Sequence, residues 1–269
     1  MPEMPEVAGY TKYFEKCALG RKIASARVKD VRIVRGLAAG ELEKELTGRT
    51  FVATRQHGKY LFAQTDGGKW LIEHFGMNGR LWYFEDHGEA PKFDRFLISF
   101  ESGGALSYVN PRMLGWIGLT EDPGGLIEGK GLGPSALDPL FDYGEFKRIF
   151  SGRKGEIKPA LMNQKLVAGV GNLYADEILF QTRIHPGMKI AGLSEKQLKS
   201  VFDTMREVLR TAVERNGDIG SFPQEYFLPH RRKSATCPAC ENELETVKIA
   251  GRTSYFCPRC QKKDPGQNR

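Results

Sequence analysis

The first 20 residues carry apolar side chains at a helical spacing. Four of them recur every three or four positions and are followed by a glycine: Val7, Tyr10, Phe14 and Cys17. This period predicts a helix over Glu6–Leu19. On that helix, Cys17 is expected to be a small buried residue.

From about residue 23 the pattern changes to short runs rich in β-branched and aromatic residues, separated by Gly, Asp and Asn. The runs are KYLFAQT, KWLIEHF, RLWYFE, RFLISFE, ALSYVN and GWIGLT. Short strands at such close spacing predict a β-sandwich or barrel. With the first helix they define a predicted domain over residues 1–120.

A Gly- and Pro-rich stretch over residues 121–139 predicts an interdomain linker. The period after it is helical, and four helices are predicted: Glu145–Ser151, Lys158–Gln164, Leu173–Phe180 with Asn172 as its N-cap, and Ser194 to about Arg215. The last of these begins with a Ser-x-x-Gln capping box. The predicted fold class is therefore α+β, with a β-sandwich domain, a helical domain over 140–228 and a C-terminal module over 229–262.

The composition is that of a folded protein, with 40% hydrophobic residues, 27% charged residues and a net charge of +7. No run approaches the ~18 apolar residues that a membrane span needs. The N-terminal residues also lack the apolar core of a signal peptide. These observations argue against disordered, collagen-like, membrane and secreted disulfide-rich classes, and favour a cytoplasmic, nucleoid-associated protein.

Most of the positive charge lies near the C-terminus. The last 41 residues hold nine basic and four acidic side chains, which is +5 of the total of +7. Such a cluster is either a solvated tail or a module that binds a polyanion.

The cysteine spacing favours the second interpretation. Two Cys-x-x-Cys pairs are separated by sixteen residues: Cys237 with Cys240, and Cys257 with Cys260. Two such turns at the open end of a β-hairpin bring four thiolates to one point, as structural zinc requires. Disulfides are the alternative, which an intracellular environment disfavours. We therefore predict one structural zinc ion, with no open position for catalysis.

The sequence resembles the bacterial formamidopyrimidine-DNA glycosylase and endonuclease VIII family of base-excision repair enzymes. Four segments carry the resemblance: MPEMPEV at the start, HGKYLF at 57–62, IKPALMNQKLVAGVGNLYADEILF at 157–180, and the two cysteine pairs. They occur in order from residue 1 to about 261. The resemblance implies a helix–two-turn–helix DNA-binding domain between a catalytic β-sandwich and a zinc finger.

The resemblance places the catalytic groups at the N-terminus. Removal of Met1 would expose the secondary amine of Pro2, which matches the family's nucleophile. A terminal amine has a pKa of about 8, so part of it is unprotonated at neutral pH. Glu3 matches the catalytic acid and Glu6 a second carboxylate, a pair suited to general acid–base steps. Lys59, otherwise a surface lysine, matches the residue that contacts phosphates and supports turnover.

The resemblance also implies a DNA-binding set. Lys158 and Asn172 lie at two predicted helix N-termini, where N–H groups and the helix dipole favour a phosphate. Arg259, inside the second cysteine pair, matches the arginine that grips phosphates next to the lesion. His74 is a further candidate phosphate contact.

A base must leave the duplex before its sugar can be attacked, so side chains must fill the space that it leaves. The resemblance assigns this task to Met77, Arg112 and Leu114 on two loops. Met and Leu can act as apolar wedges, and an arginine can hydrogen-bond the orphaned base. Met77 could instead be a core residue, but the glycines around it favour a loop tip.

Three departures from the family pattern bear on the substrate. The loop that usually has the sequence Asp-Pro-Arg-Arg-Phe-Gly is Asn-Pro-Arg-Met-Leu-Gly at 110–115. The segment before the zinc finger is shorter than in 8-oxoguanine-type members, and Pro-His-Arg replaces Tyr-Gly-Arg at 229–231. These differences put activity on 8-oxoguanine in doubt, whereas cleavage of an abasic site needs no base pocket.

We therefore expect a monomeric DNA glycosylase with AP lyase activity on oxidised or ring-opened bases and abasic sites in double-stranded DNA, with no membrane partner. The alternative is a protein of the same fold that binds damaged or crosslinked DNA with weak or no base excision. A general zinc-ribbon DNA-binding protein would leave the Pro-Glu terminus unexplained.

Overall fold

The computed structural model describes residues 2–85 and 90–263. It divides into two compact units, Met1–Gly131 and Leu132–Arg269. The boundary falls inside the stretch 121–139 that the sequence predicted as a linker. No helix within the described ranges is both long and apolar enough to cross a membrane.

The first unit is a sandwich of two four-stranded antiparallel sheets, which confirms the predicted architecture. Its strands are β1 (Ile23–Val28), β2 (Phe51–His57), β3 (Tyr60–Thr65), β4 (Trp70–His74), β5 (Arg80–Phe84), β6 (Asp94–Phe100), β7 (Ala105–Val109) and β8 (Trp116–Thr120). Its helices are α1 (Met4–Ala18), α2 (Ala39–Leu46) and α3 (Pro123–Gly129). The strand orders are β1-β6-β7-β5 and β2-β3-β4-β8.

Both sheets contribute alternate side chains to one core. Fully buried members of this core include Leu61, Leu71, Phe75, Phe96, Leu106 and Ile117. The apolar face of α1 packs on the same core, and the ring of Phe14 meets that of Phe51 edge-on at 4.9 Å. The spacing that predicted α1 is thus the spacing of its buried face, which includes Cys17.

Two connections cross between the sheets at one end of the sandwich. Loop 75–79 leads from β4 to β5, and loop 110–115 leads from β7 to β8. β4 pairs with β8 and β5 pairs with β7, with His74 opposite Trp116 and Arg80 opposite Val109. Because the strands are neighbours in both sheets, the two loops lie side by side.

The second unit contains the four predicted helices, α4 (Tyr143–Phe150), α5 (Ile157–Met162), α6 (Asn172–Gln181) and α7 (Glu195–Glu214). α6 is buried along its length from Tyr174 to Phe180. The predicted capping box of α7 is present, since the Gln197 side chain accepts the N–H of Ser194 at 2.9 Å and the Ser194 hydroxyl accepts the N–H of Gln197 at 3.3 Å.

The predicted C-terminal hairpin consists of β9 (Glu245–Ile249) and β10 (Arg252–Phe256), paired antiparallel. Ala250 and Gly251 connect them with φ values of 45° and 74°. Two successive positive φ angles are characteristic of the type I′ turn that suits a two-residue hairpin.

One predicted capping interaction is wrong. Helix α6 begins at Asn172 itself, and its N-cap is Gly171. The Asn172 side chain is engaged elsewhere, because its Nδ2 donates to the carbonyl of Thr253 in β10 at 3.2 Å. The residue therefore joins the helix to the hairpin instead of capping the helix.

Candidate active site and DNA-binding surfaces

The N-terminal segment that precedes α1 is buried in the first unit. Pro2 is buried, and Glu3 has 0% of its surface exposed. Glu6 lies in the first turn of α1, and its Oε2 accepts the N–H of Glu3 at 2.7 Å. Two carboxyl groups therefore lie within one helical turn of Pro2. Met1 lies outside the described residues.

Gln56 on β2 ties this segment to the turn that carries Lys59. Its Nε2 donates to the carbonyl of Met4 at 2.8 Å and to the carbonyl of Gly58 at 3.0 Å. Gly58 and Lys59 form the turn between β2 and β3, and Gly58 has a φ of 52°. One side-chain amide thus holds the start of α1 next to the Lys59 turn. The sequence singled out both ends of this contact but gave no signal for Gln56.

His74, the last residue of β4, lies in a group of basic side chains. Burial and the positive charges of Lys59, Arg35 and Lys130 lower its pKa to about 4. Arg35 and Lys130 both lie over the ring of Trp116, at 5.3 and 4.8 Å from its centroid. The imidazole is therefore neutral at pH 7, and the surrounding positive charge suits a phosphate.

The three predicted wedge residues lie on the two adjacent loops. Met77 in loop 75–79 is 37% exposed, and Leu114 in loop 110–115 is 47% exposed. Arg112 on the same loop is also exposed. The expectation that Met77 lies at a loop tip is confirmed. Two exposed apolar tips beside an arginine are chemically suited to enter a base stack.

In the second unit, Lys158 lies in the first turn of α5 with its side chain 1% exposed. Its ammonium is 2.6 Å from a carboxylate oxygen of Asp176 on α6, and it donates to the hydroxyl of Ser254 on β10 at 2.6 Å. The sequence had predicted that this lysine faces a phosphate. In the structure its ammonium points into the protein, and a phosphate contact would require it to leave Asp176.

Asp176 also binds Arg231, whose Nε donates to its Oδ2 at 2.8 Å, and accepts the N–H of Tyr255 at 3.2 Å. Burial raises the pKa of Asp176, while Lys158 and Arg231 oppose that rise. Together with the Asn172 contact to Thr253, these bonds join α5, α6 and the hairpin. We call Lys158, Asp176, Arg231 and Ser254 the buried joint.

The sequence did not single out Asp176 or its neighbour Glu177. Glu177 accepts the N–H groups of Phe227 and Leu228 at 3.1 and 2.7 Å, and burial raises its pKa to about 7. A signal was present, because two adjacent acids interrupt an otherwise apolar helix. Buried acids of this kind require partners.

The four predicted zinc ligands converge. One sulfur from each of Cys237, Cys240, Cys257 and Cys260 lies within 4.8 Å of the others. Backbone N–H groups point at two of them, from Ala239 to the sulfur of Cys237 at 3.4 Å and from Cys260 to that of Cys257 at 3.5 Å. Four convergent thiols supported by N–H donors fit a tetrahedral zinc ion.

Arg259 is exposed on the turn between Cys257 and Cys260. A metal bound by those two sulfurs would fix the direction of this turn. Two charges of the C-terminal cluster, Asp264 and Arg269, lie outside the described residues.

Comparison with protein-family models identifies three successive matches. They are the formamidopyrimidine-DNA glycosylase N-terminal domain over residues 1–117, the formamidopyrimidine-DNA glycosylase H2TH domain over 132–224, and the zinc finger found in FPG and IleRS over 236–263. The order of the matches is the order of the sandwich, the helical domain and the hairpin.

Similar proteins span the whole chain. The formamidopyrimidine-DNA glycosylase of Streptococcus pneumoniae R6 is 31% identical, covering 98% of this chain and 100% of its own. That of Pelobacter propionicus is 33% identical, covering 97% and 100%. The crystal structure of the Lactococcus lactis enzyme bound to DNA containing an AP site has a TM-score of 0.89 at 31% identity, covering 97% of this chain and 100% of its own. A MutM complex with carbocyclic 8-oxo-G DNA has a TM-score of 0.89 at 30% identity, with the same two coverages.

Proposed function

This chain belongs to the formamidopyrimidine-DNA glycosylase family and is a base-excision DNA glycosylase, and we propose that it also cleaves the resulting abasic site, with Pro2 as the nucleophile. The relatives that cover its full length carry the glycosylase name. Solved relatives bind abasic-site or damaged-base DNA. The observation that carries the proposal is the Gln56 contact, which holds the N-terminal segment and the Lys59 turn together.

The first chemical step uses the amine that removal of Met1 exposes. The Pro2 nitrogen attacks C1′ of the damaged nucleotide, a C1′–N bond forms, and the bond from C1′ to the base breaks. The departing base takes a proton from an acid, and Glu3 is the group adjacent to the nucleophile. The C1′–O4′ bond then breaks, O4′ takes up the proton that the Pro2 nitrogen has lost, and the nitrogen lone pair forms the C1′=N bond of an iminium with an open sugar ring.

The second step cleaves the strand. The iminium acidifies the proton on C2′, a carboxylate removes that proton, and the C3′–O bond breaks with loss of the phosphate. Glu3 and Glu6 supply the carboxylates for these transfers. Lys59, on the turn held by Gln56, contacts the phosphate next to the sugar.

The exposed residues of the two adjacent loops extrude the base. Met77 and Leu114 enter the space that the base leaves, and Arg112 hydrogen-bonds the partner base. His74, Asn172 and Arg259 contribute phosphate contacts, whereas Lys158 stays paired with Asp176 and supports the helices that carry the contacts. We propose that the protein acts as a monomer on chromosomal DNA in the bacterial cytoplasm.

One zinc ion is held by the four cysteines, and its contribution is structural. Zinc bound by four thiolates has no open position for substrate or water. The metal site would hold the turn between Cys257 and Cys260 in one direction, and this turn presents Arg259 to the DNA.

Borohydride trapping on a duplex with one abasic site tests the nucleophile. We expect a covalent adduct with protein that has lost Met1, and a diminished adduct with Pro2→Gly, whose terminal amine is primary. Protein that retains Met1 should also fail to trap. Pro139→Gly, at an exposed proline of the second unit, is the matched control and should trap like the unchanged protein.

An undiminished adduct with Pro2→Gly would contradict the proposal. Tight DNA binding with neither adduct nor strand scission would favour a protein that only binds damage. A panel of duplexes with ring-opened purine, 8-oxoguanine, hydantoin, oxidised pyrimidine or an abasic site then defines the lesion range. We expect cleavage of the abasic site and weak activity on 8-oxoguanine.

A further inference from the structure

A buried chain of hydrogen bonds connects the two wedge loops at their base. The hydroxyl of Tyr108 donates to the carbonyl of His74 at 2.8 Å, and the Nδ2 of Asn110 donates to the same hydroxyl at 2.9 Å. His74 immediately precedes loop 75–79, and Asn110 begins loop 110–115. Tyr108 is 1% exposed and Asn110 is 0% exposed. The phenol therefore bridges the two loops away from water.

Two glycines allow the loops to approach this bridge. A Cβ on Gly115 would lie 2.1 Å from the Tyr108 hydroxyl and 2.4 Å from the His74 carbonyl. A Cβ on Gly76 would lie 2.4 Å from the backbone nitrogen of Gly115. Neither position tolerates a side chain, so the backbones of the two loops are in direct contact. Any shift of one loop must move the other.

Met113 is a further sign that loop 110–115 is held in one conformation. Its φ is 50°, in the left-handed region that non-glycine residues rarely adopt. Its side chain packs against the sandwich core, whereas the next residue, Leu114, is exposed. The inward Met113 and the constrained backbone together direct Leu114 outward.

We propose that Tyr108 is a positioning residue that joins Met77 on one loop and Leu114 on the other into a single rigid wedge. The inference rests on the proposed function, in which these two side chains fill the space left by the extruded base. Tyr108 touches no DNA itself. It acts by fixing the distance between two side chains that must enter the duplex together.

The direction of the hydrogen bonds makes the Tyr108 hydroxyl the decisive group. A phenol has one hydrogen to donate. Because the Asn110 amide donates to the phenol, that hydrogen is free for the His74 carbonyl. An alanine at 110 would leave the Tyr108–His74 bond in place.

Tyr108→Phe removes the hydroxyl and therefore the bridge, whereas Asn110→Ala leaves the bond from Tyr108 to His74 in place. Tyr83→Phe is the matched control, since the Tyr83 hydroxyl lies in the same sheet but contacts Arg21 and Glu85.

The test uses the full-length protein and a duplex with 2-aminopurine opposite a tetrahydrofuran abasic analogue. Stopped-flow fluorescence follows the disturbance of the partner base as the wedge enters. We expect Tyr108→Phe to slow this phase by roughly tenfold or more, as for a misplaced group. Equilibrium affinity should change little, because phosphate contacts supply most of it. Asn110→Ala and Tyr83→Phe should behave like the unchanged protein.

A normal fluorescence phase in folded Tyr108→Phe would overturn the inference, as would an Asn110→Ala phase as slow as that of Tyr108→Phe. If the unchanged protein binds the duplex without any fluorescence change, the proposed wedge itself is wrong. A fluorescence change that is present and insensitive to Tyr108 instead removes only the positioning role.

Discussion

The ammonium of Lys158 and the carboxylate of Asp176 lie 2.6 Å apart, with their side chains 1% and 0% exposed. Lys158 belongs to α5 and Asp176 to α6. Lys158 also binds Ser254 in the hairpin, and Asp176 also binds Arg231 in the segment before the hairpin. A pair of charges this deeply buried is stable only while each charge keeps its partner. The buried joint therefore makes the zinc hairpin and the helices depend on each other.

Asp176→Asn should destabilise the second unit by about 3–5 kcal/mol, because it leaves the Lys158 ammonium buried without a counter-charge. Denaturant unfolding measures this loss. Asp203→Asn is the matched control, since it breaks the exposed Lys199–Asp203 pair, 2.7 Å long, on α7. That pair should contribute no more than about 0.5 kcal/mol. Equal losses in the two variants would show that the joint contributes no more than a surface pair.

The sequence patterns predicted the structural features that are formed by residues close to each other in the chain. The apolar period of α1, the Ser194 capping box and the C-terminal hairpin are all such features. β1 was not predicted, because only Ile23 and Ala26 of its six residues are buried and no alternation marks it. β2 and α2 were not predicted either, nor was α3, which lies in the predicted linker.

The environment of a site residue was less predictable than its position. Lys158 was found from its motif, but its partners lie 18 and 96 positions further along the chain. No local pattern could indicate that its ammonium is buried. The Tyr108–His74 contact is equally nonlocal, because it arises from the pairing of β4 with β8 and of β5 with β7.

Glu73 on β4 should make the protein less stable as pH rises. It is 1% exposed in the sandwich core, and burial raises its pKa from 4.5 to about 8. The folded state therefore holds a proton that the unfolded state releases between these two values. Stability falls with pH in that interval, by up to about 1.4 kcal/mol per pH unit.

Glu73→Gln removes the titrating group and should flatten this slope, most clearly between pH 7 and 8, above the pKa of about 7 of Glu177, another buried acid. Thermal unfolding at a series of pH values measures the difference between variant and unchanged protein. Glu101→Gln, at an exposed ion pair with Lys22, serves as the control and should keep the slope. A Glu73→Gln slope equal to that of the unchanged protein would mean that Glu73 is ionised in the core.

His74 should take up a proton when DNA binds. Its pKa of about 4 in the free protein reflects burial and three nearby cations. A phosphate placed among those cations would raise that pKa, because it favours the charged imidazole. Calorimetry at about pH 5.5 in two buffers of different ionisation enthalpy measures the uptake. His74→Gln should abolish the buffer dependence and His230→Gln should not; identical heats for the unchanged protein in both buffers would argue against the phosphate contact.

Removal of zinc should disrupt the hairpin without stopping the reaction at the N-terminus. The four thiols of the hairpin lie within 4.8 Å of each other, and without a metal the turns that carry them lose their cross-link. We expect one zinc per chain by mass spectrometry under native conditions, and its loss in Cys237→Ala. Cys17→Ala, at the cysteine buried on α1, should retain the metal.

DNA affinity should fall when the zinc is lost, because Arg259 lies on one of these turns and its direction is then no longer fixed. Borohydride trapping at saturating DNA should persist in Cys237→Ala, because Pro2 and Glu3 belong to the first unit, which folds around its own core. Two quantities should therefore be measured for Cys237→Ala and for the unchanged protein. They are the DNA concentration needed for half-maximal trapping and the final yield of the trapped adduct. A raised concentration with an unchanged yield assigns the zinc hairpin to binding alone. Loss of yield at saturation would mean that the hairpin also supports the reacting groups.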